Sequence, residues 1–165
     1  MKNKITMKAF ALLLALVMGK PSFLFSQSDT AVKTMVESGQ YIFVAEFAIP
    51  MSGRTITLTS EYDLAVSRDS LIAYLPYYGR AYQAPLDPAQ GGIKFTSVKF
   101  DYKTTKAKKG SWDISMATKD QSDNNRLSLH IAANGRATLV VNGTFRQSIT
   151  FTGYIKENPK PKKAF

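Results

Sequence analysis

The chain has 165 residues, with 22 Lys and Arg against 12 Asp and Glu, a formal charge of +10 and no cysteine. Without a thiol there is no cysteine nucleophile, no cysteine-ligated zinc, no dithiol redox pair and no disulfide to brace the fold. A lipid anchor of the kind built on a cysteine after a signal is excluded too, since that region reads Ser22-Phe23-Leu24-Phe25-Ser26-Gln27-Ser28.

Lys2, Lys4 and Lys8 precede an unbroken apolar run from Ala9 to Met18. Gly19, Lys20 and Pro21 end it, and Ser26 is a small residue placed for cleavage. This is the layout of a secretory signal peptide over residues 1–26. The run falls far short of the roughly 20 residues that a membrane-crossing helix needs. The expectation is a soluble protein, periplasmic or secreted after cleavage near Ser26, with no transmembrane segment in the mature chain. Lys2, Lys4, Lys8 and Lys20 leave with the signal, and further lysines gather after Ile155. Residues 27–155 then form one mildly basic domain, and residues 156–165 a basic, solvated Pro/Lys tail.

Asp29 to Gly39 reads as a short helix, with Ser28 or Asp29 as cap, Val32, Met35 and Val36 at helical spacing, and Gly39 as stop. The period then changes to two. Tyr41, Phe43, Ala45, Phe47 and Ile49 alternate along a strand ended by Pro50, and Ser52-Gly53 turns the chain into Thr55–Thr59. Tyr62, Leu64 and Val66 make a further alternating run. Ser67 to Ser70 is a tight turn, and Leu71 to Leu75 is the returning strand. Pro76 to Gly92 is irregular, longer than the roughly 12–15 residues usual for a loop without its own structure.

Ile93 to Thr104 alternates with a phase error, which a bulge near Thr96-Ser97 repairs. Lys106 to Gly110 is a polar hairpin loop before Trp112, Ile114 and Met116. Leu127, Leu129 and Ile131 lead to Asn134-Gly135, a strong two-residue hairpin signal. Leu139 and Val141 lead to Asn142-Gly143, and Ile149, Phe151, Gly153 and Ile155 close the series. The pattern predicts an all-β fold of about nine antiparallel strands in an up-and-down meander, barrel-like or strongly curled, with one short N-terminal helix. A two-sheet sandwich is the runner-up. Several strands are shorter than the ~9–11 residues of outer-membrane spans, which argues against a membrane barrel.

Leu75-Pro76-Tyr77-Tyr78-Gly79-Arg80-Ala81-Tyr82-Gln83-Ala84-Pro85, followed by Gly91-Gly92-Ile93-Lys94-Phe95, is compositionally unusual. With Tyr41-Ile42-Phe43-Val44-Ala45, Gly53-Arg54, Asp69-Ser70, Gly110-Ser111-Trp112 and Arg146 to Gly153, it resembles a family of exported bacterial proteins known as domain of unknown function 4251. The resemblance spans Tyr41 to Ile155. It implies an exported single domain with no assigned activity, and it supplies no catalytic residues to carry over.

His130, the one histidine, sits opposite the leucines of its strand. With no partner evident for a triad, it reads as a surface or hydrogen-bonded strand residue. Asp120, Asp123 and Asn124 lack the glycine and terminal glutamate of a calcium loop and read as a turn. Asp69 beside Ser70 reads as a turn closed by side-chain bonds. Glu46, Glu61, Asp63 and Asp69 offer carboxylates for a glycosidase, but no spacing favours any pair. Lys94, Lys99, Lys103, Lys106, Lys108 and Lys109 interleave with Phe95, Phe100 and Tyr102. The aromatics fall at core-facing positions and the lysines near a hairpin tip, so an edge defended against aggregation fits better than a nucleic-acid platform.

The loop bearing Tyr77, Tyr78, Arg80 and Tyr82 is the leading candidate site. Tyrosine gives broad apolar area with a polar tip, and arginine grips carboxylate, sulfate or phosphate. The competing reading has the same loop folded as a lid, with Tyr77 and Tyr82 packing and Arg80 satisfying carbonyls. The function expected is non-enzymatic: binding of a small amphipathic or anionic ligand at a barrel mouth, with no cofactor, metal or nucleic acid. An envelope protein-interaction module is the alternative, and a carboxylate-based hydrolase a distant third.

Overall fold

Residues 26–82 and 91–159 are described by a computed structural model. The expected signal segment apart from Ser26, most of the expected tail and part of the tyrosine-rich loop lie outside them. Among the described residues nine strands follow one α-helix: α1 (Ser26–Ser38), β1 (Tyr41–Pro50), β2 (Ile56–Val66), β3 (Leu71–Leu75), β4 (Ile93–Ser97), β5 (Phe100–Lys106), β6 (Trp112–Thr118), β7 (Arg126–Ile131), β8 (Arg136–Asn142) and β9 (Ile149–Glu157). They form a single antiparallel sheet in the order β4-β3-β2-β1-β9-β8-β7-β6-β5. Every strand sits beside its sequence neighbours except β4 and β5, which stand at the two ends of the order, and the β1–β9 pairing joins the first strand to the last so that the sheet curls back on itself. The result is a nearly closed barrel in place of the two-sheet sandwich.

The number of strands matches expectation, but the partition differs. Thr55–Thr59 and Tyr62–Val66 merge into β2, whose pairing with β1 slips between Ala45 and Phe47. The same bulge interrupts the β1–β9 ladder. Conversely, the stretch with the phase error splits. β4 pairs with β3 from Leu75↔Ile93 to Leu71↔Ser97. After Val98 and Lys99 the chain changes partner, and β5 pairs with β6 from Phe100↔Thr118 to Lys106↔Trp112. β4 and β5 are thus one bent strand that joins both ends of the sheet, and the register break falls at Val98-Lys99, two residues later than predicted.

Asp120 holds this bend. Its carboxylate accepts bonds from the Ser97 hydroxyl, from Val98 N (2.8 Å) and from Lys99 N (3.1 Å). Gln121 Nε2 donates to the Thr96 carbonyl at 2.7 Å beside it. The Ser97 hydroxyl bond, with the backbone bonds after it, lowers the Asp120 pKa to about 2. A carboxylate depressed in the folded state stabilises above its unfolded pKa, near 4, and loses that contribution as pH falls towards the folded value. Thermal melts of Asp120→Asn and wild type are therefore expected to differ most above about pH 5 and to converge towards pH 2. A gap that stays constant down to pH 2 contradicts this account.

The barrel interior is filled. Tyr41, Phe43, Leu64, Leu71, Leu75, Ile114, Met116, Leu127, Leu129, Ile131, Leu139 and Phe151 are all essentially inaccessible, the alternate side chains of their strands. Helix α1 covers one end, seating Val32 and Val36 in the same core. It begins at Ser26, upstream of the expected caps, so Asp29 lies in its first turn. Its end is as predicted: Gly39, at φ 64°, donates to Val36 O, and Gln40 N donates to Met35 O. At Asn134-Gly135 only Gly135 has positive φ (81°), so the hairpin is a wider turn with a glycine bulge. β9 also outruns its predicted end, because Lys156 and Glu157 pair with Ile42 and Tyr41.

Candidate functional site

The helix-covered end leaves one side open. β5 continues past the last residue of β4, and its inward residues Phe100, Tyr102 and Thr104 have no strand beyond them. Together with Val36 of α1, Trp112 of β6 and the β2–β3 turn they bound a groove of about 640 Å³. Phe100 and Tyr102 are half-buried against the core, and Trp112 is nearly buried beneath Lys106, whose ammonium lies 5.1 Å from the indole centre. The Tyr102 hydroxyl is 3.2 Å from that of fully buried Tyr41. Desolvation, reinforced by Tyr102, raises the Tyr41 pKa well above the ordinary tyrosine value, so this hydroxyl stays neutral.

The rim carries the charge: Arg68 and Lys106, against Glu37. Arg68 Nε donates to the Ser38 carbonyl at 3.2 Å, which caps an orphan acceptor at the end of α1 and orients the guanidinium. An apolar floor with a few polar groups at its rim, in this volume range, is the usual make-up of a small-molecule site. Periodicity places Phe100, Tyr102 and Trp112 on the inner face. It gave no sign that the face is left uncovered beside β5.

The tyrosine-rich segment lies at the opposite end of the barrel and is tied down there. The Tyr77 hydroxyl donates to the carbonyls of Arg80 (2.8 Å) and Gln147 (3.0 Å), and the Arg146 guanidinium lies 5.0 Å from its ring. Burial raises the Tyr77 pKa above the ordinary value. Tyr82 N donates to Phe145 O, Gln147 N to Arg80 O, and Ala81 bridges Arg146, so the segment adds a short piece of ladder beside the β8–β9 connection. The Tyr78 and Tyr82 side chains are 42% and 69% exposed, and Arg80 is exposed as well. The cavity nearest this end is about 160 Å³ and is lined by residues including Gly92, Gln121, Asp123 and Arg146. None of the four tyrosine-loop side chains lines it.

The remaining candidates take local roles. His130 Nδ1 lies 2.6 Å from Asp113 Oδ1 on the outer face, both side chains being exposed. The Ser70 hydroxyl donates to Asp69 as expected of a self-closing turn. Asp123 pairs with Arg146 at 3.1 Å and accepts from Thr144 N and Phe145 N. Among the described residues no group of three or more His, Asp or Glu is placed to hold a metal ion. No helix among them is long and apolar enough to cross a membrane.

A family model described as Domain of unknown function (DUF4251) matches residues 25–155. The chain is also similar to a crystal structure of a DUF4251 family protein from Bacteroides eggerthii, at 18% identity and TM-score 0.59, over 80% of this chain and 89% of that one. At that identity the likeness bears on the fold alone. No curated protein matches.

Proposed function

Since the chain belongs to the DUF4251 family, whose domain has no assigned activity, we propose a function from geometry: an exported, non-enzymatic protein that binds a small amphipathic anion. The carrying observation is the groove beside β5, with Phe100, Tyr102 and Trp112 for the apolar part of a ligand and Arg68 and Lys106 for its charge. Ligand class follows the sequence expectation, while the site moves from the tyrosine-rich segment to the helix-covered end. The reason is physical. Tyr77 spends its hydroxyl on loop carbonyls, whereas the groove keeps apolar surface and cations open to solvent.

Trp112 is the single tryptophan and lines the groove, so the protein carries its own reporter. Anilinonaphthalene sulfonate, an amphipathic anion, is expected to bind saturably and to quench Trp112 emission. Thr104→Phe, which fills the groove from an exposed position without touching the core, is expected to weaken binding by about tenfold or more. Tyr78→Ala and Arg80→Ala are expected to bind as wild type does. Loss of binding in the latter pair, with Thr104→Phe unaffected, places the site at the tyrosine-rich segment and overturns the groove.

A further inference from the structure

We propose that the natural occupant of this groove is a short extended peptide with a free C-terminal carboxylate, added as a strand to the open edge of β5. The inference rests on the groove being the binding site and names what fits it. Three observations converge on one chemistry.

The first is the strand edge. β5 pairs with β6 on one side only and ends the sheet. Its β3-facing edge is left without a ladder because β4 stops at Ser97 and the chain swaps partners at Val98-Lys99. Lys99 and Ala107 bond towards the β6 side, so the alternate residues between them, Tyr102, Thr104 and Lys106 among them, direct N–H and C=O away from β6, a row of groups that an extended backbone satisfies. The same edge borders the groove, since Phe100, Tyr102, Thr104 and Lys106 all line it. At roughly 3.4 Å per residue, a peptide of about four residues runs alongside this strand. Its alternate side chains then fall on the aromatic floor, the mode in which main-chain bonds give affinity and pockets give selectivity.

The second is charge. Two cations and one acid meet at the rim, and Arg68 is committed only through Nε. Its terminal nitrogens make no hydrogen bond or ion pair with the described residues, which leaves the planar fork for a carboxylate. The third is the apolar floor of Phe100, Tyr102 and Trp112, which takes a bulky side chain near that carboxylate. An acyl-chain acid would use the floor and the cations but would leave the strand edge bare.

The test uses native mass spectrometry and Trp112 fluorescence on the purified protein. The probes are a pool of acetylated tetrapeptides of randomised apolar residues with free carboxylates, the same pool as amides, the same pool with N-methylated backbones, and dodecanoate. The acid pool is expected to bind, with amidation or N-methylation each weakening it by about tenfold or more. Arg68→Gln is expected to erase the preference for acid over amide, and the modified peptides make the same test without altering the protein. Equal binding of acid and amide, or of methylated and unmethylated backbones, overturns the proposal. Dodecanoate binding without peptide binding overturns it while leaving the groove as a ligand site. If neither binds, and anilinonaphthalene sulfonate does not either, both readings fall.

Discussion

Gly153→Ala is expected to lower the melting temperature by about 10 °C, the shift that a cost of about 3 kcal/mol produces in a domain of this size. Gly153 points into the barrel from β9 and pairs with Ala45 of β1 on one side and Ala137 of β8 on the other. A methyl group there would fall inside the Val44 carbonyl, close to Ala45 Cα as well. These are backbone atoms of the bulged section of β1, so no side-chain rotation relieves the clash. Small residues on three adjacent strands let the sheet bend sharply at the bulge, and glycine allows the closest approach. Thermal melts by circular dichroism decide it, with Thr152→Ala as the neighbouring control. A melting point within a degree or two of wild type shows that β1 can move aside.

Asp123→Ala is expected to cost about 3 kcal/mol, because it removes the counter-charge of a mostly buried guanidinium. The two side chains of the pair are 15% and 21% exposed. The same carboxylate accepts from Thr144 N at 2.6 Å, while Arg146 reaches on to the Gly92 carbonyl at 3.0 Å and over the Tyr77 ring. One residue therefore ties together the β6–β7 turn, the β8–β9 connection and the start of β4. Its loss strands a charge and two backbone donors at once. Denaturant unfolding measures the effect. Asp101→Asn serves as comparison, since it breaks an exposed pair with Lys119 and is expected to change stability by less than about 1 kcal/mol. Should the two variants prove equal, the Asp123 network is not holding this end of the barrel.

Much of the fold was legible because its signals are local. Period-two alternation marked the inner face of each strand. The tight turn at Ser67–Ser70 and the glycine-bulged turn at Gly135 made sequential strands neighbours, and Gly39 ended the helix where a positive φ is needed. Even the partner switch left a trace, as the phase error between Phe95 and Val98. For the loop of Tyr77 to Tyr82 the pattern left a binding site and a packed lid both open, because tyrosine composition does not say whether a hydroxyl is already spent. Tyr77 bonds to Gln147, a residue 70 positions away.

The sequence by itself determined an antiparallel all-β meander, its inner face, its helix stop and its family. The tertiary structure alone decided that the sheet curls into one nearly closed barrel, that β4 and β5 are a single strand bent around Asp120, and that a groove opens beside β5. The physical reason is that alternation records which face of a strand meets the core. It carries nothing about what lies along the strand's edge, and that edge, set by contacts far apart in the chain, is where this protein's groove is made.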